Sequence, residues 1–364
     1  MDWNQHTGFA PTAAVSASVT NGIATIMLPS GQSFDEHAVV LIAGATPTDL
    51  NGEARVLTTA SDRITVATTA ANGAATGSIT VRYAPVGGWE EVFSKTNVSV
   101  FRSSDPTGSR MFLRIDDTGT QFARIVAYET MVDVDTGTGP FPTPAQMSGG
   151  GYWHKSSAAS SAAAKWKMFG DGKLFYVAIA SQTPSTATSD VAILRGFGDL
   201  IALAPGGDPW AASVSVAGNS TTAQYGGYDA NYTSSTSNGG IFQARSITGL
   251  GSAVMSDPRA YVGILASISG NDTQLGTAPS SVDGQLKPSR MFTREQGTNT
   301  PPRCNTPGPF YFPQIGLINV LNDGDFLLPT GELAGRRLLV ISAGTNVTSA
   351  PQGRCAVDAT GPWR

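Results

Sequence analysis

Residues 15–28 read Val15-Ser-Ala-Ser-Val-Thr-Asn-Gly-Ile-Ala-Thr-Ile-Met-Leu28. Small polar and apolar residues alternate before the dipeptide Asn21-Gly22, which is a strong turn signal, and an apolar run follows it. A period of two places alternate side chains on one face of a β-strand. The stretch therefore predicts two short strands joined by a tight turn.

The same pattern continues to residue 86. Further apolar runs follow at intervals of about ten residues, with turn signals between them; they occupy residues 38–42, 54–58, 63–66 and 78–82. Six short strands spaced in this way are typical of an antiparallel sandwich or small barrel. We predict an immunoglobulin-like antiparallel sandwich at residues 13–86, preceded by an N-terminal arm at residues 1–12. The Cys…Trp…Cys pattern of immunoglobulin domains is absent, so only the architecture is expected.

Residues 87–364 predict a larger, β-sandwich-rich domain with long loops, and a further division near residues 181–190 is an open alternative. The strongest hairpin signal is Gly170-Asp-Gly172 between apolar runs at 166–169 and 174–179, which predicts a primed turn. Residues 284–309 contain five prolines and predict a long irregular connection. The runs Gly316-Leu-Ile-Asn-Val-Leu321 and Arg337-Leu-Leu-Val-Ile341 predict closing strands.

The composition also indicates an all-β protein. Hydrophobic residues make up 40% of the chain and charged residues only 14%, against roughly 25% charged residues in an average soluble domain. The 42 glycines and 22 prolines supply the backbone angles that tight turns require. A helical enzyme would be richer in Leu, Glu and Lys.

The charge balance argues against a nucleic-acid partner. The chain has 23 basic and 27 acidic residues, for a net charge of −4. Residues 1–86 hold three basic and six acidic residues, which gives −3. Neither part carries the basic stripe that phosphate-backbone binding needs.

Targeting signals are not evident. The opening Met1-Asp-Trp-Asn-Gln-His-Thr-Gly lacks the charged and apolar regions of a signal peptide. No run approaches the roughly 20 apolar residues of a membrane span. We expect synthesis in a cytoplasm and no membrane insertion.

The two cysteines, Cys304 and Cys355, leave two interpretations open. In a chain that folds under reducing conditions, both would be free, buried thiols. The alternative is a single disulfide that ties the last fifty residues together.

No catalytic constellation is recognisable. The histidines His6, His37 and His154 are far apart, and neither a His-Glu-x-x-His nor a Gly-x-Ser-x-Gly motif occurs. We therefore expect a protein that is not an enzyme, with no catalytic residue and no bound cofactor.

Acidic pairs are the candidate metal ligands. Asp133 and Asp135 share one face if they lie in a strand. Asp323 and Asp325 belong to an Asn-Asp-Gly-Asp run, and a third pair, Asp116 and Asp117, is followed by Thr-Gly. Carboxylates in such pairs suit Ca²⁺. The alternative is that these aspartates only start turns.

Aromatic residues are the candidate glycan contacts. Trp153, Trp210 and Tyr311 carry rings that can stack on sugars. The alternative is that they serve as core or interface residues, which is the commoner use of aromatic side chains in β-domains.

Two stretches carry a family resemblance. Residues 21–29, 39–47 and 50–53 resemble the small immunoglobulin-like modules of phage and prophage structural proteins. Residues 101–103, 112–119, 128–142 and 152–156 resemble virion proteins of tailed bacteriophages. Together the stretches cover roughly residues 20–180. Their motifs contain no active-site signature.

The resemblance implies a structural component of the phage particle, made in the bacterial cytoplasm and located in the virion. A tail or baseplate protein, or a fibre-attachment protein, is the leading expectation. It would act as a homo-oligomer that also contacts other virion proteins. The alternatives are a receptor-binding tail protein that contacts a host surface glycan, and a capsid decoration or head-fibre protein.

Overall fold

The structure is a computed structural model that describes residues 9–85, 87–156, 159, 166–179, 194–219, 227–229, 233–262, 275–343 and 353–364. The chain divides into two compact units, Met1–Gly87 and Gly88–Arg364. Their strands pair antiparallel throughout, so the predicted all-β sandwich class is confirmed. The helices of the described residues are three short 3₁₀ turns, Thr48–Leu50, Leu317–Asn319 and Gly331–Leu333.

Eight strands lie in the described part of the N-terminal unit. They are β1 (Phe9–Ala13), β2 (Ser16–Thr20), β3 (Ile23–Met27), β4 (Val39–Ala43), β5 (Gly52–Ala60), β6 (Arg63–Ala67), β7 (Gly73–Ala75) and β8 (Thr80–Tyr83). Their order is β1-β8-β4-β5-β6-β3-β2-β7. The long strand β5 pairs with β4 over residues 52–55 and with β6 from Val56 onward, so it joins the two halves of the sandwich.

The Asn21-Gly22 turn forms as the sequence predicts. Strands β2 and β3 pair from Ser16↔Met27 to Thr20↔Ile23. Asn21 and Gly22 have φ angles of 51° and 77°, and both values lie in the left-handed region that a primed two-residue turn requires. The hairpin therefore takes its register from these two residues.

The buried face of this unit is formed by alternate residues of the strands. Ile26, Val40, Val56, Ile64 and Val81 are each 0% exposed. The residues between them are partly or fully exposed, as the period of two requires.

The predicted N-terminal arm needs correction. Strand β1 lies at residues 9–13 and pairs with β8, at Phe9↔Tyr83 and Thr12↔Val81. Residues 9–12 are therefore part of the sheet, which the sequence did not show because Pro11 interrupts the apolar pattern. The rest of the predicted arm, residues 1–8, lies outside the described residues.

The described residues of the second unit form eighteen strands. The first nine are β9 (Trp89–Lys95), β10 (Val98–Ser103), β11 (Phe112–Asp116), β12 (Phe122–Met131), β13 (Gly137–Phe141), β14 (Gly151–His154), β15 (Trp166–Gly170), β16 (Leu174–Ile179) and β17 (Leu194–Asp199). The others are β18 (Ile201–Ala202), β19 (Ala212–Ala217), β20 (Gly239–Gln243), β21 (Val254–Ala260), β22 (Ser289–Glu295), β23 (Cys304–Tyr311), β24 (Phe326–Leu327), β25 (Leu338–Ala343) and β26 (Gly353–Asp358). The suggested division at residues 181–190 falls outside the described residues.

The strands of this unit form two connected series. Strands β9 to β13 are a meander of consecutive antiparallel neighbours, and β12 also pairs with β14. The second series runs β15-β16-β17-β19-β20-β21-β22-β23-β26-β25-β24, with β18 paired to β23. The two meet at Tyr152↔Ala217, between β14 and β19.

Strand β16 is buried on both faces, which explains its continuous apolar sequence. Leu174 and Tyr176 belong to one core cluster. Phe175 points to the other face, where its ring centroid lies 4.9 Å from Trp89 and 6.3 Å from Phe197. This strand therefore separates two apolar layers.

Strands β15 and β16 form the predicted hairpin, but the turn between them is not of the predicted primed type. Neither Gly172 nor Lys173 has a positive φ angle. The Asp171 carboxylate instead accepts hydrogen bonds from the backbone N–H groups of Lys173 and Leu174, each at 2.8 Å. The aspartate side chain therefore stabilises an ordinary turn.

Two further predictions for this unit are wrong. The proline-rich segment 284–309 contains all of β22 and most of β23. Residues 316–321, predicted as a strand, contain the 3₁₀ turn Leu317–Asn319, which follows Gly316 at a φ of 81°. Strand β25, in contrast, covers most of the predicted closing strand at 337–341.

Candidate interaction surface at Trp210 and Arg303

The first pair of candidate metal ligands serves a turn and two ion pairs. Asp133 Oδ1 accepts the backbone N–H groups of Asp135 and Thr136, each at 2.8 Å. Asp135 accepts hydrogen bonds from Lys95 Nζ at 2.6 Å and Arg114 Nη2 at 2.9 Å. The N–H group of Asp135 lowers the pKa of Asp133, and Lys95 lowers the pKa of Asp135.

The second pair is also engaged by protein groups. Asp323 pairs with Lys167 and accepts the backbone N–H of Ser342 at 2.9 Å. Asp325 accepts the backbone N–H of Asn322 at 2.6 Å. Within the described ranges, no three His, Cys, Asp or Glu side chains converge as a metal cage.

Two of the three candidate glycan contacts are core residues. Trp153 is 1% exposed and its Nε1–H donates to the Ser215 carbonyl at 2.6 Å. Tyr311 is 0% exposed. Neither ring can meet a sugar, because protein atoms cover both; the interpretation of these two as glycan contacts is corrected.

The cysteines form no bridge. Cys304 and Cys355 are both free and buried. Burial raises the pKa of the Cys304 thiol to about 11, and it raises the pKa of Cys355 well above its ordinary value. Of the two interpretations open from the sequence, the structure has the buried free thiols.

Trp210 is half-buried and lies beneath an arginine. The Arg245 guanidinium carbon is 4.4 Å from the centre of the Trp210 ring, which is a cation–π contact. Its nitrogens donate to both carboxylate oxygens of Glu129, at 2.6 Å each, and this hydrogen bonding raises the pKa of Arg245. A third hydrogen bond, to the Gly249 carbonyl at 3.2 Å, ties the loop at 246–250 to this stack.

Arg303 is the centre of the second network, and its side chain is only 2% exposed. It donates to Asp208 Oδ2 at 2.7 Å and Oδ1 at 3.2 Å, and to Glu295 Oε1 at 3.0 Å. It also donates to the carbonyl oxygens of Arg245 at 2.7 Å and Trp210 at 3.3 Å. Arg303 therefore connects the two networks through backbone groups.

A neutral layer lies beneath these ions. Gln243 is 0% exposed and accepts a hydrogen bond from Ser256 Oγ at 2.6 Å. Its Nε2 lies 3.7 Å from Cys304 Sγ. Buried polar groups with partners of this kind hold one arrangement of their strands.

Apolar side chains are exposed around these networks. Leu203 is 40% exposed, Ile247 50% and Leu250 75%. Backbone hydrogen bonds place the first two beside the ions: Leu203 N–H donates to the Arg303 carbonyl at 3.0 Å, and Ile247 N–H donates to Glu295 Oε1 at 2.6 Å. We call Leu203, Trp210, Ile247 and Leu250 the apolar rim.

The Arg245 and Arg303 networks fix the position of the apolar rim. The carboxylates of Glu129, Asp208 and Glu295 each accept hydrogen bonds from a guanidinium, and they hold Arg245 and Arg303 in position. Charged hydrogen bonds tie the loops that carry the apolar rim to Glu129 of β12, to Glu295 of β22 and to Arg303, directly before β23. Such bonds are stronger than neutral ones. A fixed apolar surface loses little side-chain and loop freedom when it binds a partner.

Sequence reasoning identified Trp210 and missed the rest of this surface. The Arg303–Asp208 contact joins residues 95 positions apart, and Arg245–Glu129 joins residues 116 apart. No local pattern reveals such pairs. A usable signal was present in Ser246-Ile-Thr-Gly-Leu-Gly-Ser252, where two large apolar residues lie in a loop of turn-forming residues.

Comparisons with known proteins do not assign the chain to a family. No family model matches it. No curated protein matches it either. Among the described residues, no helix has the length and apolar character needed to cross a membrane.

Proposed function

We propose that this chain is a non-enzymatic structural subunit of a tailed-phage particle, of the tail, baseplate or fibre-attachment type, and that it acts by packing against copies of itself and other virion proteins. The apolar rim is the observation that carries the proposal. The resemblance of residues 20–180 to phage virion proteins supports the choice of particle.

The chemistry of the rim favours a protein partner. Leu203, Ile247 and Leu250 expose aliphatic side chains that gain free energy when they leave water. Trp210 and Arg245 lie beside them, and tryptophan and arginine are enriched among the residues that dominate protein interfaces. The ions beneath are already paired, so covering the rim leaves few unpaired charges.

A second copy of the chain is the proposed occupant. Many virion proteins are repeated in a symmetric particle, and the rim on one copy would be present on all of them. Low charge over the whole chain, 14% of residues, limits the cost of removing water from such contacts.

The test is the oligomeric state of the purified protein, measured by sedimentation velocity. We expect an oligomer for the natural chain and a shift toward monomer for Leu250→Asp and Ile247→Asp. Val282→Asp is the matched control, because Val282 is 94% exposed and lies outside the rim.

A natural chain that remains monomeric at high micromolar concentration contradicts the assembly proposal, as does a control variant that dissociates as readily as the rim variants. Antibody labelling of intact particles then separates a tail position from the head position of a capsid decoration protein.

A further inference from the structure

A second surface combines arginine and aromatic side chains on strands β21 and β22. Antiparallel pairing places Asp257 opposite Arg294 and Arg259 opposite Phe292. Residues two apart in a strand lie on the same face, so Arg290, Phe292 and Arg294 share one face of β22. Tyr261, directly after β21, donates its backbone N–H to the Arg290 carbonyl at 3.1 Å.

Arg290 and Arg294 of β22 supply positive charge to this face. The buried Asp257 carboxylate is 3.0 Å from Arg259 Nη2 and 3.8 Å from Arg294 Nη2. It also accepts the backbone N–H of Ser234 at 2.8 Å. Arg290 is exposed, and no carboxylate of the described residues pairs with it.

An aromatic platform lies beside these charges. Tyr261 is 49% exposed, and its ring centroid is 4.7 Å from that of Phe292, with the two planes inclined by 47°. The Tyr261 hydroxyl donates to Asn305 Oδ1 at 2.6 Å. Asn305 lies on β23 opposite Phe292, so three neighbouring strands hold the tyrosine ring in position.

We propose that this face, formed by Tyr261, Arg290, Phe292 and Arg294, binds the carboxylate-bearing sugars of an acidic polysaccharide. A planar guanidinium matches a carboxylate in charge and geometry and can bind it through two parallel hydrogen bonds. The exposed tyrosine ring offers an apolar surface for the C–H face of a sugar. This inference is independent of the assembly proposal, since it uses none of the residues of the apolar rim.

A single-stranded nucleic acid also combines anionic groups with planar rings, but the charges disfavour it. Such ligands need a positively charged groove that follows several phosphates. Here Arg290 and Arg294 of one strand supply the positive charge, on a chain whose net charge is −4. An isolated acidic sugar needs only one or two guanidinium groups.

Calorimetric titration of the full chain tests the inference with three probes: oligomers of galacturonic acid, oligomers of sialic acid and oligosaccharides of hyaluronan. We expect at least one to bind. The methyl ester of the galacturonic acid oligomer has the same rings without the charge, and it should bind no better than a neutral dextran oligomer. No binding of any acidic probe at millimolar concentration overturns the proposal, and so does equal binding of the acid and its ester.

Variants then locate the site. Arg290→Gln and Tyr261→Ala should each weaken binding by about tenfold, as expected when one charged hydrogen bond or one aromatic contact is lost. Arg63→Gln is the control, because it removes another exposed positive charge, one that lies in the N-terminal unit. Thermal unfolding followed by circular dichroism establishes that each variant is folded.

Two results contradict the assignment of this face. One is an equal loss of affinity in Arg63→Gln, which would indicate attraction by overall charge. The other is tighter binding of an oligothymidylate than of all acidic sugars, with loss of that binding in Arg290→Gln, which would indicate a nucleic-acid site.

Discussion

Arg303 binds both carboxylate oxygens of Asp208, at 2.7 Å and 3.2 Å, across 95 residues of sequence. The two side chains are only 2% and 0% exposed. Because Arg303 lies directly before β23 and Asp208 lies two residues before Trp210, the pair fixes a surface loop to the sheet. The apolar rim therefore depends on a buried ion pair for its position.

Loss of this cation should destabilise the second unit strongly. In Arg303→Met, the buried Asp208 carboxylate has no compensating guanidinium, and we expect the free energy of unfolding to fall by about 3–5 kcal/mol. Urea unfolding followed by tryptophan fluorescence measures the change. Arg63→Met provides the comparison, since Arg63 and Asp62 form an exposed pair with 51% and 42% of their side chains accessible.

The exposed pair should contribute roughly 1 kcal/mol or less, because water screens it and the side chains lose freedom when they pair. Equal losses of stability in Arg303→Met and Arg63→Met would show that the buried pair has no special structural role.

The fold could be predicted where local chemistry decides it. The Asn21-Gly22 turn follows from two residues that tolerate positive φ angles, and the alternation around it determines which side chains are buried. Strand β16 was evident from its apolar run between turn residues. These features depend on neighbours in sequence, which a single chain displays directly.

The errors arise where tertiary contacts override local signals. Strand β23 contains Pro307 and Pro309, yet it pairs with β22 at residues 304–306 and 310–311 and with β26 at residues 309–311. The Arg303 and Arg245 networks join distant residues, so no spacing rule could reveal them. The glycan candidates Trp153 and Tyr311 failed because an aromatic residue type does not specify which side of a sheet it faces.

Asp229 should make stability depend on pH. It is 2% exposed, and its Oδ2 atom has no hydrogen-bond partner among the described residues. Burial raises its pKa from 3.8 to about 6, against the opposing effect of Arg195. Between about pH 4 and pH 6 the folded state therefore keeps a proton that the unfolded state releases. The stability from this group is complete at low pH and is lost as the pH rises through about 6.

Asp229→Asn removes this titration. From about pH 4 to about pH 7, we expect the unfolding free energy of the variant to rise by roughly 2–3 kcal/mol relative to that of the natural chain. Asp283→Asn should show the opposite direction, and at lower pH, between about pH 2 and pH 4, because hydrogen bonding to Lys287 lowers the pKa of Asp283 from 3.8 to about 2. A pH-independent difference for Asp229→Asn would contradict the burial effect.

Gly151 should not tolerate even a methyl group. It begins β14, and a Cβ atom there would lie 2.3 Å from Cβ of Val216 on β19. Val216 is 0% exposed, so it has no room to move away. Overpacking of this kind costs about 1–3 kcal/mol, and Gly151→Ala should lose that much stability in thermal or urea unfolding.

Gly206→Ala is the control for this change, because a Cβ atom at Gly206 would meet nothing within 4 Å. A further test combines Val216→Gly with Gly151→Ala. The double variant should lose less stability than the two single losses added together, since Val216→Gly removes the Cβ and both Cγ atoms that the new methyl group would meet. Strict additivity would show that the two strands do not approach as closely as the structure has them.

The two thiols should be inaccessible in the folded protein and free in the unfolded one. Cys304 and Cys355 are buried, and burial raises the pKa of Cys304 to about 11, so little thiolate is present at neutral pH. Because the thiolate is the reactive form, a thiol-specific chromogenic disulfide should react very slowly with the native protein. In urea without any reductant it should titrate both cysteines, and prior reduction should leave that number unchanged. A protein that yields no thiols in urea until it is reduced would instead contain the bridge that the sequence left open.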